Sequence, residues 1–168
     1  MDETNANNET IWYVAHTRPR CEKKIVEYCR REGLPTTLPL YKSVKKYRGK
    51  VLTFHKPLFP GYVFLQLQDR QRQKVYQSDY VANLLNVPDQ KEFAAQLDDI
   101  LTSLELDVEI RLAPTIGPGT KVFIKSGPLR GMEGWVETRT GPTVVLLRLD
   151  FIGQAAAVKI DATDLELA

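Results

Sequence analysis

The side chains that could do chemistry in this chain are mostly cations, and they are concentrated in one stretch. From His16 to Lys56 there are 12 Lys and Arg against 3 Glu, a net charge of +9, whereas the whole chain carries only +2. A basic block of this kind is typical of a surface that meets a polyanion such as nucleic acid. The same pattern also occurs on ordinary solvated surfaces, so charge alone leaves both interpretations open.

Residues suited to catalysis or to metal binding are sparse. The candidate metal ligands lack the short paired spacing of a zinc site; they are His16, His55, Cys21 and Cys29. The chain has no phosphate-binding loop, no dinucleotide-binding glycine pattern and no serine elbow. We therefore expect no enzymatic activity, no cofactor and no metal. Because no apolar run approaches the length of a membrane span, we expect a cytoplasmic protein.

The first 105 or so residues interleave strand and helix patterns. Residues 1–10 are polar and predict a disordered tail. The predicted elements that follow are a strand at 11–15, a helix at 19–33, a hairpin of 36–47 and 50–55, a strand within 58–67, a helix at 70–79, a strand at 81–87 and a helix from about Asp89. This order predicts an α+β domain in which an antiparallel sheet is flanked by helices.

The pattern breaks between residues 107 and 119, where proline and glycine accumulate. Short strands separated by turn signals follow, and they predict a small closed β-barrel, because closure leaves little unpaired strand edge. Its expected core is Val122, Ile124, Val136, Val145, Leu147, Val158 and Ile160. The expected organisation is a tail (1–10), an N-terminal domain (11–106), a linker (107–119) and a C-terminal domain (120–168).

Three segments in this order resemble the NusG family. They are WYVAHT (12–17) before a basic helix, LFPGYVF (58–64), and VFIKSGPLRGMEGWV (122–136). The resemblance covers about residues 11 to 168, and it implies an NGN domain followed by a KOW domain. Gly131 and Gly134 allow backbone conformations or close approaches that a side chain would oppose, and we interpret them as builders of a barrel corner.

The resemblance implies that the NGN domain docks on the clamp helices of the largest RNA polymerase subunit through an apolar patch. Matching positions place Tyr62 and Phe64 in that patch, and strand alternation would put both rings on one exposed face. Leu84 and Val87 are expected to extend it. The competing interpretation is that both aromatic residues belong to the buried core.

Specialised, RfaH-like members of the family use a basic first helix to contact the exposed non-template DNA strand. The resemblance places Arg18 and Arg31 at such contact positions, and Arg20, Lys23 and Lys24 are adjacent candidates. Asp79 stands near a position where those members are basic, so DNA reading remains a hypothesis. The cations at the hairpin tip, Lys45 to Lys50, form a solvated loop in the simplest interpretation. The alternatives are that the tip approaches the upstream DNA or the second large polymerase subunit.

In the C-terminal domain, Phe151-Ile152-Gly153-Gln154 matches the loop with which housekeeping members bind the termination factor Rho and the ribosomal protein NusE. An apolar pair at an exposed turn suits protein binding. Gln154 stands where a basic residue is common in housekeeping proteins, which favours NusE over Rho as the partner.

The resemblance therefore implies a monomeric regulator that promotes processive elongation or antitermination, with a role specialised for particular operons. One alternative is a general housekeeping factor coupled to Rho, and another is a ribosome-associated, RNA-binding KOW protein. Prolines and glycines in the C-terminal domain oppose a continuous helix, so we expect the barrel to be its resting form.

Overall fold

The computed structural model describes residues 9–106, 108–113, 120–136 and 144–167. They form two compact units. The first comprises the described parts of Met1–Leu38 together with Phe59–Gln90, and the second comprises Pro39–Leu58 with the described parts of Lys91–Ala168. The predicted disordered tail lies, except for its last two residues, outside the described residues.

The regular elements follow one another in the order expected of an α+β chain. They are β1 (Ile11–Thr17), α1 (Glu22–Arg31), β2 (Thr36–Thr37), β3 (Leu40–Tyr47), β4 (Lys50–Pro57), β5 (Tyr62–Leu67), α2 (Arg72–Tyr76), β6 (Val81–Asn86), α3 (Gln90–Glu105), β7 (Ile110–Ala113), β8 (Thr120–Ile124), β9 (Glu133–Val136), β10 (Val144–Leu149), β11 (Gln154–Lys159) and β12 (Leu165–Leu167). The predicted α+β class is confirmed. No helix among the described residues is long and apolar enough to cross a membrane.

The first unit is built on a four-stranded antiparallel sheet with the strand order β2-β5-β1-β6. Strand β5, predicted as a strand from its apolar residues, lies inside this sheet between β2 and β1. One face of the sheet packs against α1 around a core made of Tyr13, Ala15, Ile25, Cys29, Leu34, Val63, Leu65, Leu67, Val75, Val81 and Leu84. Burial of each large apolar side chain contributes roughly 1.5–3 kcal/mol, so this core is the main stabilising element of the unit.

Helix α1 begins three residues later than predicted. Pro19 lies in a turn ahead of the helix, and Arg20 adopts a left-handed backbone conformation with φ 60°, which a helical residue cannot have. Ile25 and Cys29 are completely buried, as the predicted apolar stripe requires. Burial raises the pKa of the Cys29 thiol to about 11, so the thiol stays protonated and unreactive at neutral pH.

The second unit contains the two-stranded sheet β3–β4 and a six-stranded antiparallel sheet with the order β12-β8-β9-β10-β11-β7. The predicted C-terminal strands are present, and five of the seven predicted core residues are buried: Val122, Ile124, Val145, Leu147 and Val158. Val136 and Ile160 are half-buried. Closure of this sheet into a barrel stays a prediction.

Strand β7 lies within the segment predicted to be a linker. Ile110 pairs with Val158 and Ala113 pairs with Ala155, so this part of the segment extends the sheet. The prolines and glycines that indicate a linker begin only at Pro114. In the four residues before it, Ile110 and Leu112 fall on one face of a strand and Arg111 on the other, a pattern that suits an edge strand. Residues 107 and 114–119 lie outside the described residues.

Helix α3, expected to close the N-terminal domain, belongs almost entirely to the second unit. The Phe93 ring packs edge-on against the Phe151 ring, with centroids 6.3 Å apart. The hydroxyl oxygen of the buried Ser103 lies 3.8 Å from the Met132 sulfur. The helical spacing of apolar residues correctly predicts the helix, but it does not indicate which unit the apolar face contacts.

Gly134 is required by close packing inside the six-stranded sheet. A Cβ atom at this position would collide with Cγ1 of Val145 and would lie 3.0 Å from the backbone oxygen of Leu146. We expect Gly134→Ala to lower the free energy of unfolding by about 1–3 kcal/mol, measured from the urea midpoint. Glu133→Ala, at the exposed neighbouring position, should change it by about 1 kcal/mol or less. An unchanged midpoint for Gly134→Ala would contradict this packing.

Candidate interaction surfaces

The sheet of the first unit has a second face, opposite the α1 core. The register places His16 directly opposite Tyr62 on β5 and Asn83 on β6. Directly opposed residues of antiparallel strands point to the same side of a sheet, and alternate residues share a face. The second face therefore carries Trp12, Val14, His16, Tyr62, Phe64, Gln66, Asn83 and Leu85.

A tight turn places Tyr62 at the edge of this second face. Its backbone N–H donates to the carbonyl of Phe59 at 3.2 Å, and Gly61 has a φ of 86°, which requires glycine at the third turn position. The half-buried Tyr62 ring stacks on the exposed His16 ring, with centroids 5.3 Å apart. The FPGY motif thus fixes a partly accessible aromatic side chain on a rigid strand.

Phe64 does not have the exposure expected from the sequence. Its side chain is 0% exposed, and the Phe59 ring packs against it with centroids 6.3 Å apart. Strand β5 therefore has buried side chains on both faces, with Val63 and Leu65 on the α1 side and Phe64 on the second face. The expectation that both aromatic rings are exposed is wrong for Phe64, and only Tyr62 is partly accessible.

Leu84 and Val87 are also buried, at 4% and 6% exposure. Leu84 pairs with Ala15 and belongs to the α1 core, so it points away from the second face. The neighbouring Leu85, which the sequence pattern did not single out, points to the second face and is half-buried. A shift of one residue in register moves every side chain to the other face, and the sequence does not indicate this register.

The five cations proposed for DNA binding are all exposed: Arg18, Arg20, Lys23, Lys24 and Arg31. Arg18 forms an ion pair with Asp79 at 3.4 Å. Asp79 has a φ of 64°, and the carbonyl of its neighbour Tyr80 accepts the backbone N–H of Arg18 at 2.8 Å. An exposed pair of this kind adds little stability, but it places a carboxylate against a proposed phosphate contact.

Acidic residues also interrupt the exposed face of α1. Glu27 lies between Lys24 and Arg31 on the helical surface, because residues three and four apart are neighbours. Its carboxylate pairs with Arg30 at 2.7 Å, and this hydrogen bond lowers the pKa of Glu27. Glu27 is therefore ionised at neutral pH, and the basic face predicted from the sequence carries mixed charge.

The C-terminal loop proposed to bind a partner is held by α3 within the second unit. Residues Asp150–Ile152 form a short 3-10 turn that ends at Gly153, with φ 68°. The Gln96 side chain bridges this turn: its Nε2 donates to Asp150 Oδ2 at 2.7 Å, and its Oε1 accepts the Asp150 N–H at 2.9 Å. Phe151, Ile152 and Gln154 are half-buried, and Gly153 is exposed.

Comparison with known proteins identifies the family. The family model described as "Transcription termination factor nusG" matches residues 10–100, which is more than half of the chain. This chain belongs to the NusG family, whose members are generally transcription elongation factors that interact with RNA polymerase. The members are transcription factors and not enzymes, which confirms the expectation that this chain is not an enzyme.

Twenty solved chains match the fold. One is described as "Domain interaction in Thermotoga maritima NusG"; it has a TM-score of 0.51 and 18% sequence identity, and the match covers 95% of this chain and 97% of that chain. This similarity supports the fold alone. A search of curated proteins gives no match.

The Arg18–Asp79 pair leads to a prediction about nucleic-acid affinity. Asp79→Asn removes the carboxylate, keeps the side-chain shape, and is compatible with a positive φ. With Arg18 as a DNA contact, we expect the affinity for short single-stranded DNA to rise about two- to fivefold, measured by fluorescence anisotropy at low salt. Asp69→Asn is the matched control, since its carboxylate pairs with Arg72 at 3.6 Å. An equal gain in both variants would attribute the effect to net charge and would contradict a local role for Arg18.

Proposed function

We propose that this chain is a specialised transcription elongation and antitermination factor. In this proposal, residues 11–106 form an NGN domain that binds RNA polymerase, and residues 120–168 form a KOW barrel that recruits a partner protein. The observation that carries the proposal is the His16–Tyr62 stack, which lies partly accessible at the edge of a rigid sheet in a NusG family member. Tyrosine on a preorganised surface is a common anchor of protein interfaces.

The polymerase contact we propose is the second face, directed at the clamp helices of the largest subunit. Tyr62 makes the direct contact, and His16 and Leu85 flank it. Phe64 supports the sheet from a buried position beside Phe59. Leu84 and Val87, which the sequence resemblance placed in the contact, hold β6 and the segment after it in position from buried sites.

The DNA contact we propose is the exposed side of α1 and the turn before it. Arg18, Arg20, Lys23, Lys24 and Arg31 supply cations for the phosphates of the non-template strand. Because Glu27 and Asp79 lie among these cations, the surface is suited to a weak and position-dependent contact. This charge pattern favours discrimination between DNA elements over general adhesion to DNA.

The partner contact we propose is the loop from Phe151 to Gln154, with NusE as the partner. Its accessible part is Gly153 and the half-buried Ile152, while the Phe151 ring packs on Phe93. Gln154 is uncharged, where Rho-coupled housekeeping proteins commonly carry a basic residue, and this supports a specialised role. The match of residues 10–100 to the NusG family counts against a ribosome-associated RNA-binding protein.

The polymerase contact predicts a specific loss of binding. Tyr62→Ala in the full chain should reduce retention of core RNA polymerase at least tenfold in a pull-down, because an interface anchor typically contributes about 2 kcal/mol or more. Phe64→Ala is unsuitable for this test, since a buried Phe→Ala change costs roughly 3–5 kcal/mol of stability. Leu167→Ala, at an exposed apolar position of β12, is the control. Unchanged polymerase retention by Tyr62→Ala, or capture of ribosomal RNA without polymerase, would contradict the proposal.

The α3 contact predicts that partner binding is restrained within the second unit. Gln96→Ala removes two hydrogen bonds to Asp150, each worth roughly 1 kcal/mol, and should free the loop. We expect it to raise the affinity for NusE severalfold in isothermal titration calorimetry, whereas Ile152→Ala should lower it. If Gln96→Ala left the affinity unchanged while Ile152→Ala lowered it, the contact would not restrain the loop.

A further inference from the structure

The β3–β4 hairpin forms a sheet of its own. Its strands pair over their full length, from Leu40 opposite Pro57 to Tyr47 opposite Lys50. Arg48 and Gly49 form the connecting turn with φ values of 49° and 76°, which suit a tight two-residue hairpin turn. A two-stranded ribbon has only a small core of its own, so the side chains on its outer part are available to a partner.

The outer part of the hairpin is unusually apolar for an exposed surface. Among the described residues there are eight exposed large apolar side chains, and five of them lie on this ribbon: Val44, Tyr47, Val51, Leu52 and Phe54. Tyr47 is 60% exposed and Phe54 is 43% exposed. Clustered exposed apolar groups mark interaction sites, whereas single exposed groups do not.

The same ribbon is strongly cationic. No Asp or Glu occurs between Gly33 and Gln68, and the hairpin carries Lys42, Lys45, Lys46, Arg48, Lys50 and Lys56. At the base of the hairpin, the carboxylates of Glu105 and Glu109 line the same groove as Lys42 and His55. Towards the tip, the ion pairs of the described residues do not include any hairpin cation.

The register sorts these residues onto two different faces. Tyr47 is opposite Lys50, Lys45 is opposite Leu52, and Phe54 is opposite Ser43, so rings and cations alternate along one side of the ribbon. We call this side the aromatic face; it comprises Tyr41, Ser43, Lys45, Tyr47, Lys50, Leu52, Phe54 and Lys56. The other side carries Lys42, Val44, Lys46, Val51, Thr53 and His55, without Phe, Tyr or Trp.

In the part of the chain that the structure describes, no ion pair involves a cation of the aromatic face. The ammonium group of Lys56 lies beside that of Lys45 and lowers the pKa of Lys45. The Arg48 guanidinium lies 5.4 Å from the centre of the Tyr47 ring. An anion placed between Lys45 and Lys56 would relieve their repulsion, and a phosphate is an anion of suitable charge and size.

We propose that the aromatic face binds an unpaired strand of nucleic acid. Tyr47 and Phe54 would stack on bases, and Lys45 would contact a phosphate between the two rings. Lys50, level with Tyr47, and Lys56, beyond Phe54, would contact the phosphates on either side. The positions of Tyr47 and Phe54 are separated by two side-chain repeats along the face, roughly 13 Å, which leaves room for backbone between stacked bases. In a duplex the base faces are already stacked on each other, and a second copy of the hairpin would bring two cationic ribbons together.

The test uses the full chain and a labelled oligothymidylate in a fluorescence anisotropy titration. Replacing both rings, with Tyr47→Ser and Phe54→Ser, should weaken binding at least tenfold. The matched control is Val44→Ser with Val51→Ser, which removes two equally exposed apolar side chains from the other face and should change binding less than about twofold. Oligouridylate should bind like oligothymidylate, because stacking and phosphate contacts do not need a 2′-hydroxyl.

Further experiments test the phosphate contacts and the location of the site. Lys45→Gln with Lys50→Gln should reduce the slope of log affinity against log salt by about 1.4, near 0.7 for each lost phosphate contact. The ring changes are also tested in a chain that carries Lys24→Gln and Arg31→Gln on α1. They should weaken binding there by the same factor, because the aromatic face is a different site from the DNA contact proposed on α1. The proposal is overturned by an unchanged affinity in the ring variant, by tighter binding of duplex than of single strand, or by a ring-dependent preference for phosphatidylserine vesicles or for self-association.

Discussion

The register of β1 between β5 and β6 is the constraint on which the first unit depends. It directs Tyr13 and Ala15 toward the α1 core and leaves His16 beside Tyr62 on the second face. The register shifts between His16 and Thr17, and the pairing before this shift determines that Leu85, and not Leu84, shares that face. Because the side-chain period of a strand is two residues, a register different by one would exchange the core with the proposed polymerase contact.

Local patterns predicted the elements well, and they failed where long-range packing decides. The apolar stripe of α1 and the strength of β5 follow from the spacing of residues such as Ile25, Cys29 and Val63. Burial of Phe64 was one of two interpretations of its sequence, and alternation along one strand does not decide between them, because it does not reveal whether both sheet faces are covered. The contact of Gln96 with Asp150 joins residues 54 positions apart, and the polar sequence around each residue gives no indication of it.

The distribution of charge explains why nucleic-acid contact is proposed at two places with different character. On α1, carboxylates at Glu27 and Asp79 pair with cations and make the surface mixed. On the hairpin, a long stretch without acidic residues leaves the cations next to exposed rings. The first arrangement suits selective and weak contact, and the second suits sequence-tolerant stacking. The high charge of the segment from His16 to Lys56 therefore divides into two surfaces that the sequence alone did not separate.

The proposed function makes one central claim, that this chain acts on transcribing RNA polymerase at selected operons. Mapping the occupancy of the protein and of RNA polymerase along the genome tests that claim most directly. We predict that the protein is found within a few long transcribed operons, together with polymerase and downstream of their promoters. Occupancy on nearly all transcribed genes would contradict the specialised role and indicate a general elongation factor, and an absence from transcribed regions would contradict any action on transcribing polymerase.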